Sequence, residues 1–181
     1  MSEVHITGLK ELAQFLDELP GKLQKNVMRG ALRAGCNVIK ADAKAMCPVS
    51  APSGKNARIY GGYAGALRDS IRVGAKNSGS IVTGYVKAGG KVKGADTYYV
   101  RWVEYGTQAH TIKAKNGGAL SFGSGAAQVV HHPGSRPRPF MRPALDGQAA
   151  AATVATAEYM KNRLATKEGL DTSDIDIEVE I

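Results

Sequence analysis

The sequence predicts an α+β fold in which two long helices pack on a small antiparallel sheet, with long flexible loops. Three observations predict it. Two stretches, residues 21–47 and 144–165, carry apolar residues at helical steps; residues 80–88 alternate with a period of two; and many of the 22 glycines fall in segments with neither period. At 181 residues, with 43% hydrophobic and 22% charged side chains, the chain has the size and composition of one ordinary globular domain.

The elements follow in order. Leu9, Leu12, Ala13, Phe15, Leu16 and Leu19 form one apolar face behind Thr7, which is placed to cap, and Pro20 closes the segment; a short helix is expected over 8–19. Residues 21–47 make a longer amphipathic helix, with its stripe on Leu23, Val27, Ala31, Ala34, Val38, Ala41 and Ala45 and its end at Pro48. Gly30 and Gly35 weaken it locally, while its alanines let another backbone approach. Residues 48–66 are rich in turn formers and read as an exposed loop. Two strands are expected over 67–73 and 80–88, joined by the AKNSGS turn. The run YYVRWVEY, residues 98–105, is a strand or a short helix ended by Gly106.

Residues 107–139 show no convincing period, and so long a stretch is usually a functional or mobile loop. A second long helix is expected over 144–165, after Pro143. The end of the chain, 168–181, carries six acids and no base, with Ile175, Ile177, Val179 and Ile181 alternating. It is either an added strand or a tail that orders on a neighbour. One domain over 1–167, with flexible loops at 48–66 and 107–135, is therefore expected to precede an acidic tail over 168–181.

The overall charge of +8 is unevenly spread: residues 1–47 carry +2, residues 48–145 carry +11, and residues 146–181 carry −5. A basic middle is a prior for contact with nucleic acid or an acidic protein surface, and the acidic end could meet a basic patch on a neighbouring copy. The first residues lack a basic stretch followed by an apolar one, and nowhere do about 18 apolar residues run together, so a soluble protein made in the cytosol is expected. Cys36 and Cys47 lie ~16 Å apart along one helix, too far to bridge, and are expected as packing elements.

The sequence has no phosphate-loop, dinucleotide-binding, zinc-protease or nucleophile-elbow motif, so no catalytic residue, metal ligand or cofactor is assigned. His110, His131 and His132 read as solvated loop residues. Only Asp69, Asp96 and Glu104 are acidic among residues 48–145, which leaves a carboxylate-rich nuclease site poorly supported. Glu104 sits among Trp102, Val103 and Tyr105; it either pairs with an arginine across a subunit interface or faces solvent from a strand. Lys55, Arg58, Lys91, Lys93, Lys113 and Lys115 lie in or beside glycine-rich segments and suit nonspecific contact with phosphate or an acidic partner. The sharpest local signal is RPRPFMRPAL, residues 136–145. Its prolines hold an extended approach, Phe140 and Met141 supply an apolar anchor, Pro143 stands where a helix can begin, and Arg136, Arg138 and Arg142 can fork onto carboxylates. The other reading is a rigid loop-to-helix joint anchored by Phe140, and the two are compatible.

The stretches GLKELAQFLDELP, AKAMCPV, GALRDSI, YYVRWVEYGT and RPRPFMRPAL, in that order, resemble the tail-component family of long-tailed, lambdoid-type bacteriophages, the head-tail joining or tail-completion proteins of the neck. The resemblance spans about residues 4–165. It implies a non-enzymatic virion protein, an α+β subunit that forms an oligomeric ring at the neck or the head-proximal end of the tail and meets other phage neck and tail proteins, after assembly in the host cytoplasm. It also implies that Glu104, Gly106 and Thr107 belong to a VExGT signature, and Pro139, Phe140, Arg142 and Pro143 to a PxPFxRPA signature. With Arg138, these residues are expected at the subunit or partner interface, together with alanine-lined helix faces. The longer glycine-rich stretch 108–135 and the acidic end depart from shorter family members. The alternative from another class is a basic DNA-binding protein without sequence specificity.

Overall fold

The computed structural model describes residues 5–49, 62–122, 125–169, 171–173, 175–177 and 179–180. Its frame is a pair of long helices, α2 (Gly21–Met46) and α5 (Met141–Glu168), preceded by the short α1 (Leu9–Asp17). At 1.5 Å per residue the long helices run about 40 Å each. They are antiparallel: Val27 and Ala31 pack with Ala157, Met160 and Leu164 at one end, and Ala43 packs with Ala144 at the other. Contact is close because α2 bears Gly30 against the Tyr159 ring and Gly35 against Thr156 Oγ1 and the Ala152 carbonyl.

That close approach corrects the expected stripe. The buried positions of α2 are Val27, Ala31, Gly35 and Ala43, whereas Ala41 and Ala45 are exposed. Small residues in steps of four let α5 lie nearer than larger side chains would permit, so the stripe follows the partner helix. Of the helix alanines, Ala31, Ala43, Ala144, Ala152 and Ala157 are buried within the chain itself, whereas Ala41, Ala45, Ala149 and Ala151 are exposed. Thr7 also departs from expectation. Gly8 occupies the cap position of α1 at φ +79°, where a Cβ would stand 2.6 Å from the Asp176 carbonyl oxygen, and the Thr7 hydroxyl donates to that same oxygen at 3.3 Å.

The described strands form five two-stranded antiparallel sheets. Against the other side of α2 lies a hairpin of β2 (Arg72–Ser78) and β3 (Ile81–Lys87), turning at Gly79 and Ser80. A Cβ at Gly84 would stand 3.0 Å from both Cys36 Sγ and Leu32 Cβ, so helix and strand meet there with little space between them. The strand expected over 67–73 is corrected: Ala66–Asp69 is a single helical turn, α3, and β2 begins only at Arg72. Ser70 fixes this junction, its hydroxyl donating to the Leu67 carbonyl at 2.6 Å and accepting the Gly89 N–H at 2.9 Å. Leu67 and Ile71 are apolar because they are core, and a short apolar run does not by itself choose strand over helix.

Beyond β3, a small hairpin of β4 (Lys91–Val92) and β5 (Ala95–Asp96) leads to the short helix α4 (Val100–Tyr105). Where the sequence shows no period and a flexible loop is expected, the described residues of 107–135 form two successive two-stranded ribbons. β6 (His110–Lys113) pairs with β9 (Val129–His132), and inside them β7 (Leu120–Phe122) pairs with β8 (Gly125–Ala127).

Two core clusters result. One joins α1, the first half of α2 and the second half of α5, and takes in Ile175 from the acidic end; β10 (Val179–Glu180) pairs there with β1 (His5–Ile6). The other holds Ala43, Cys47, Leu67, Ile71, Phe140 and Ala144, and α4 packs against it through Val100 and Val103. Burial pushes the Cys47 thiol up to about 11, so it stays protonated at neutral pH and acts as a packing group. No helix among the described residues is long and apolar enough to cross a membrane.

Candidate functional site

The start of α5 and the end of α4 form a polar site in which one carboxylate gathers several hydrogen bonds. A helix begins with four N–H groups that lack an intrahelical acceptor. At α5 these belong to Phe140, Met141, Arg142 and residue 143, and residue 143 is proline, which has none. The other three go to a single carboxylate, that of Glu104. The Phe140 N–H donates to Oε2 at 2.8 Å, the Met141 N–H to Oε2 at 3.1 Å and the Arg142 N–H to Oε1 at 3.1 Å. Arg142 Nε adds a fourth bond to Oε1 at 3.3 Å, and its Nη2 reaches the Glu104 carbonyl at 3.4 Å.

Glu104 is 4% exposed, so this is a capping group supplied from 36 residues upstream. α5 has no acidic residue in its own first turn, and Glu104 supplies the negative charge that a helix N-terminus favours. Burial pushes the carboxyl up, but the three backbone hydrogen bonds and the Arg142 side chain outweigh it and hold the group below its ordinary value. The structure thus settles Val100–Tyr105 as the helical alternative of the sequence reading and gives Glu104 an arginine partner inside its own chain, where the sequence suggests one across a subunit interface or a solvent-facing strand position.

The other signature residues surround this joint. Phe140 is fully buried in the second core cluster. The Arg138 N–H donates to the Val103 carbonyl at 2.8 Å, while the Arg138 side chain and Pro139 are exposed. Gly106 has φ +71°, and a Cβ there would stand 2.5 Å from the Ser135 carbonyl oxygen and 2.9 Å from Pro137 N. Thr107 and Ser135 exchange backbone hydrogen bonds at 3.0 and 3.1 Å, closing the foot of the ribbon. The two signature stretches therefore meet: Glu104 caps the helix start beside Phe140 and Arg142, and Gly106 and Thr107 shape the exit from the joint.

The basic residues are dispersed. Lys91 and Lys93 lie on the β4–β5 hairpin, Lys113 and Lys115 on or beside the separate β6–β9 ribbon, and Lys55 and Arg58 fall outside the described residues. Lys93 Nζ lies 3.1 Å from Asp69 Oδ2 and is already ion-paired. His110 and His132 face each other across the ribbon with ring centroids 5.0 Å apart. Among the described residues no three His, Cys, Asp or Glu side chains converge where they could share a metal ion.

Sequence reasoning missed the exposed face of α4. Tyr98, Trp102 and Tyr105 lie on one side at spacings of four and three, and each is more than half exposed. The spacing was the available signal. The Tyr98 and Trp102 rings meet edge to face at 5.6 Å, and the Arg142 guanidinium lies over the Tyr105 ring at 4.7 Å.

Helices, hairpins and joint together define an α+β protein in which Glu104 ties the end of α4 to the start of α5. Residues 10–106 match the HK97-gp10-like family, described as "Bacteriophage HK97-gp10, putative tail-component". That is more than half of the chain, and the chain belongs to this family of phage tail components, which places it in the virion. The match ends at Gly106, so it takes in Glu104 but not the stretch that Glu104 caps. No curated protein and no solved structure matches the chain.

Proposed function

We propose that the chain is a ring-forming subunit at the neck of the phage, acting in tail completion and head-tail joining. The joint is the observation that carries this reading. Glu104 and the buried Phe140 hold α4 and α5 together, with Gly106 and Thr107 closing the foot of the ribbon beside them, while Arg138, Arg142 and the aromatic side of α4 remain at the surface. Buried members of the signatures serve an interface by holding its exposed members in place. At the far end of the same frame Ile175 packs into the first core cluster, and the exposed Asp171 and Asp176 beside it offer a second surface.

Deleting the gene from the phage tests the reading. The expected result is filled heads and tails that accumulate separately, or tails of abnormal length. Normal infectious particles would rule it out.

A second reading, nonspecific contact with passing DNA, has one supporting observation: residues 107–135 contain no carboxylate while carrying Lys113, Lys115 and three histidines. Filter binding to duplex DNA at two salt concentrations separates the readings, because phosphate contact requires a steep loss of affinity with salt.

A further inference from the structure

The aromatic side of α4 has the make-up of a docking surface. Tyr98, Trp102 and Tyr105 are 54%, 54% and 59% exposed. Their edge-to-face contact and the Arg142 stack hold the rings before any partner arrives, which lowers the ordering cost of association. Three exposed arginine side chains stand on or beside this face: Arg101 within α4, Arg138 anchored by its backbone to Val103, and Arg142, whose charge is already paired with Glu104, so that Arg101 and Arg138 carry the net positive charge of the face. Aromatic and arginine side chains are enriched at the energetic centres of interfaces, and the guanidinium fork matches a carboxylate.

The matching surface lies at the other end of the same molecule. Because α2 and α5 are antiparallel, the acidic end sits about 40 Å away beside α1, where Asp171 and Asp176 are exposed together with Glu11 and Glu18. Pairing two arginine-bearing faces about a two-fold axis would set like charges together, whereas joining opposite ends brings unlike charges into contact. We propose that the Tyr98, Trp102 and Tyr105 face receives the acidic end of a second copy of this chain, around Asp171 and Asp176, in a head-to-tail contact. The contact rests on the ring reading and specifies it, since head-to-tail contacts close into rings when the rotation permits.

Trp102 is the sole tryptophan, so its emission reports on this face directly. As the full-length protein is concentrated at low salt, emission moves to the blue while light scattering records assembly, and both changes reverse at high salt. Trp102→Ala, and separately Asp171→Asn with Asp176→Asn, each weaken assembly at least about tenfold with far-UV circular dichroism unchanged. Asparagine keeps the turn that Asp171 makes with the Ser173 N–H. Mixed together, the two variants form a one-to-one dimer that grows no further, because one intact face meets one intact end.

Assembly of either variant at native strength would overturn the proposal, as would a mixture that stays monomeric while the native chain assembles. Native assembly without any change in Trp102 emission would sink this contact and leave the ring standing. A native chain that stays monomeric even with tail tubes added would end both.

Discussion

Glu104 and Phe140 meet in one hydrogen-bonded joint, and the residues between them leave that joint and return as an exposed ribbon. The two regions are neighbours in space and are built by different physics. At the joint a carboxylate, a helix start and a fully buried phenylalanine share one water-excluded site, so each group depends on the others. In the ribbon, residues 108–113 are all exposed, and order comes from cross-strand pairing alone, which is marginal for two strands in water. Gly106 at φ +71° and Gly134 at φ +85° turn the chain out and back, and the Thr107–Ser135 bridge closes the gap behind it. The joint is therefore part of the fold, and the ribbon is an appendage carried by it.

The largest expected effect is on the joint. Phe140→Ala empties a fully buried site and should cost about 3–5 kcal/mol in urea denaturation. A loss under about 1 kcal/mol would mean that the second core closes without its anchor. Glu104→Gln follows, at about 2–4 kcal/mol, because an amide N–H₂ would face N–H donors and the charge at the helix start would be gone.

The Glu104 effect also depends on pH, with a definite sign. The folded group titrates below its ordinary value of 4.5, so its contribution is fully present above that value and is lost as pH falls through the folded value. The difference in denaturation midpoint between native and Glu104→Gln proteins should therefore be the same at about pH 7 as just above pH 4.5, and shrink as the pH is lowered below 4.5. A constant gap would show that the carboxylate's charge is not what the site uses.

The same contrast explains what could be read from the sequence. The long helices were legible because Pro20, Pro48 and Pro143 bracket strong apolar periods. α5 starts three residues before the position that its apolar pattern predicts, since its cap comes from Glu104 and no local pattern records a partner so far away. The ribbon was invisible for a different reason. With both faces in water, Thr111, Ile112, Lys113 and their partners need no apolar alternation, and alternation is what reveals a strand. Leu67 and Ile71 carried the opposite ambiguity: burial was legible, but its secondary structure was set by Ser70 and Gly89, which lie outside the apolar pattern.

Gly106→Ala probes the boundary between the regions. A Cβ there meets the Ser135 carbonyl and Pro137 in a conformation that costs an L-residue about 1 kcal/mol or more, so a loss of about 1–3 kcal/mol is expected. The damage should appear as faster amide exchange at Thr107 and Ser135, whose N–H groups close the bridge, and not at the N–H groups held by Glu104. Equal loss at both places would mean that the joint and the foot of the ribbon open as one unit.

The smallest effect belongs to the ribbon itself. Thr107 and Ser135 are already paired across an antiparallel bridge, the spacing that a two-residue Asn-Gly turn spans. Replacing residues 108–134 by Asn-Gly should therefore leave both cores and the joint intact, and change stability by less than about 1 kcal/mol, because the shorter loop also reduces closure entropy in the unfolded chain. A loss above about 2 kcal/mol would show that the ribbon supports the fold and would erase the contrast. If stability is retained while particles lacking the ribbon fail to mature, its exposed strands act outside the subunit, on a neighbour that the joint holds it out to meet.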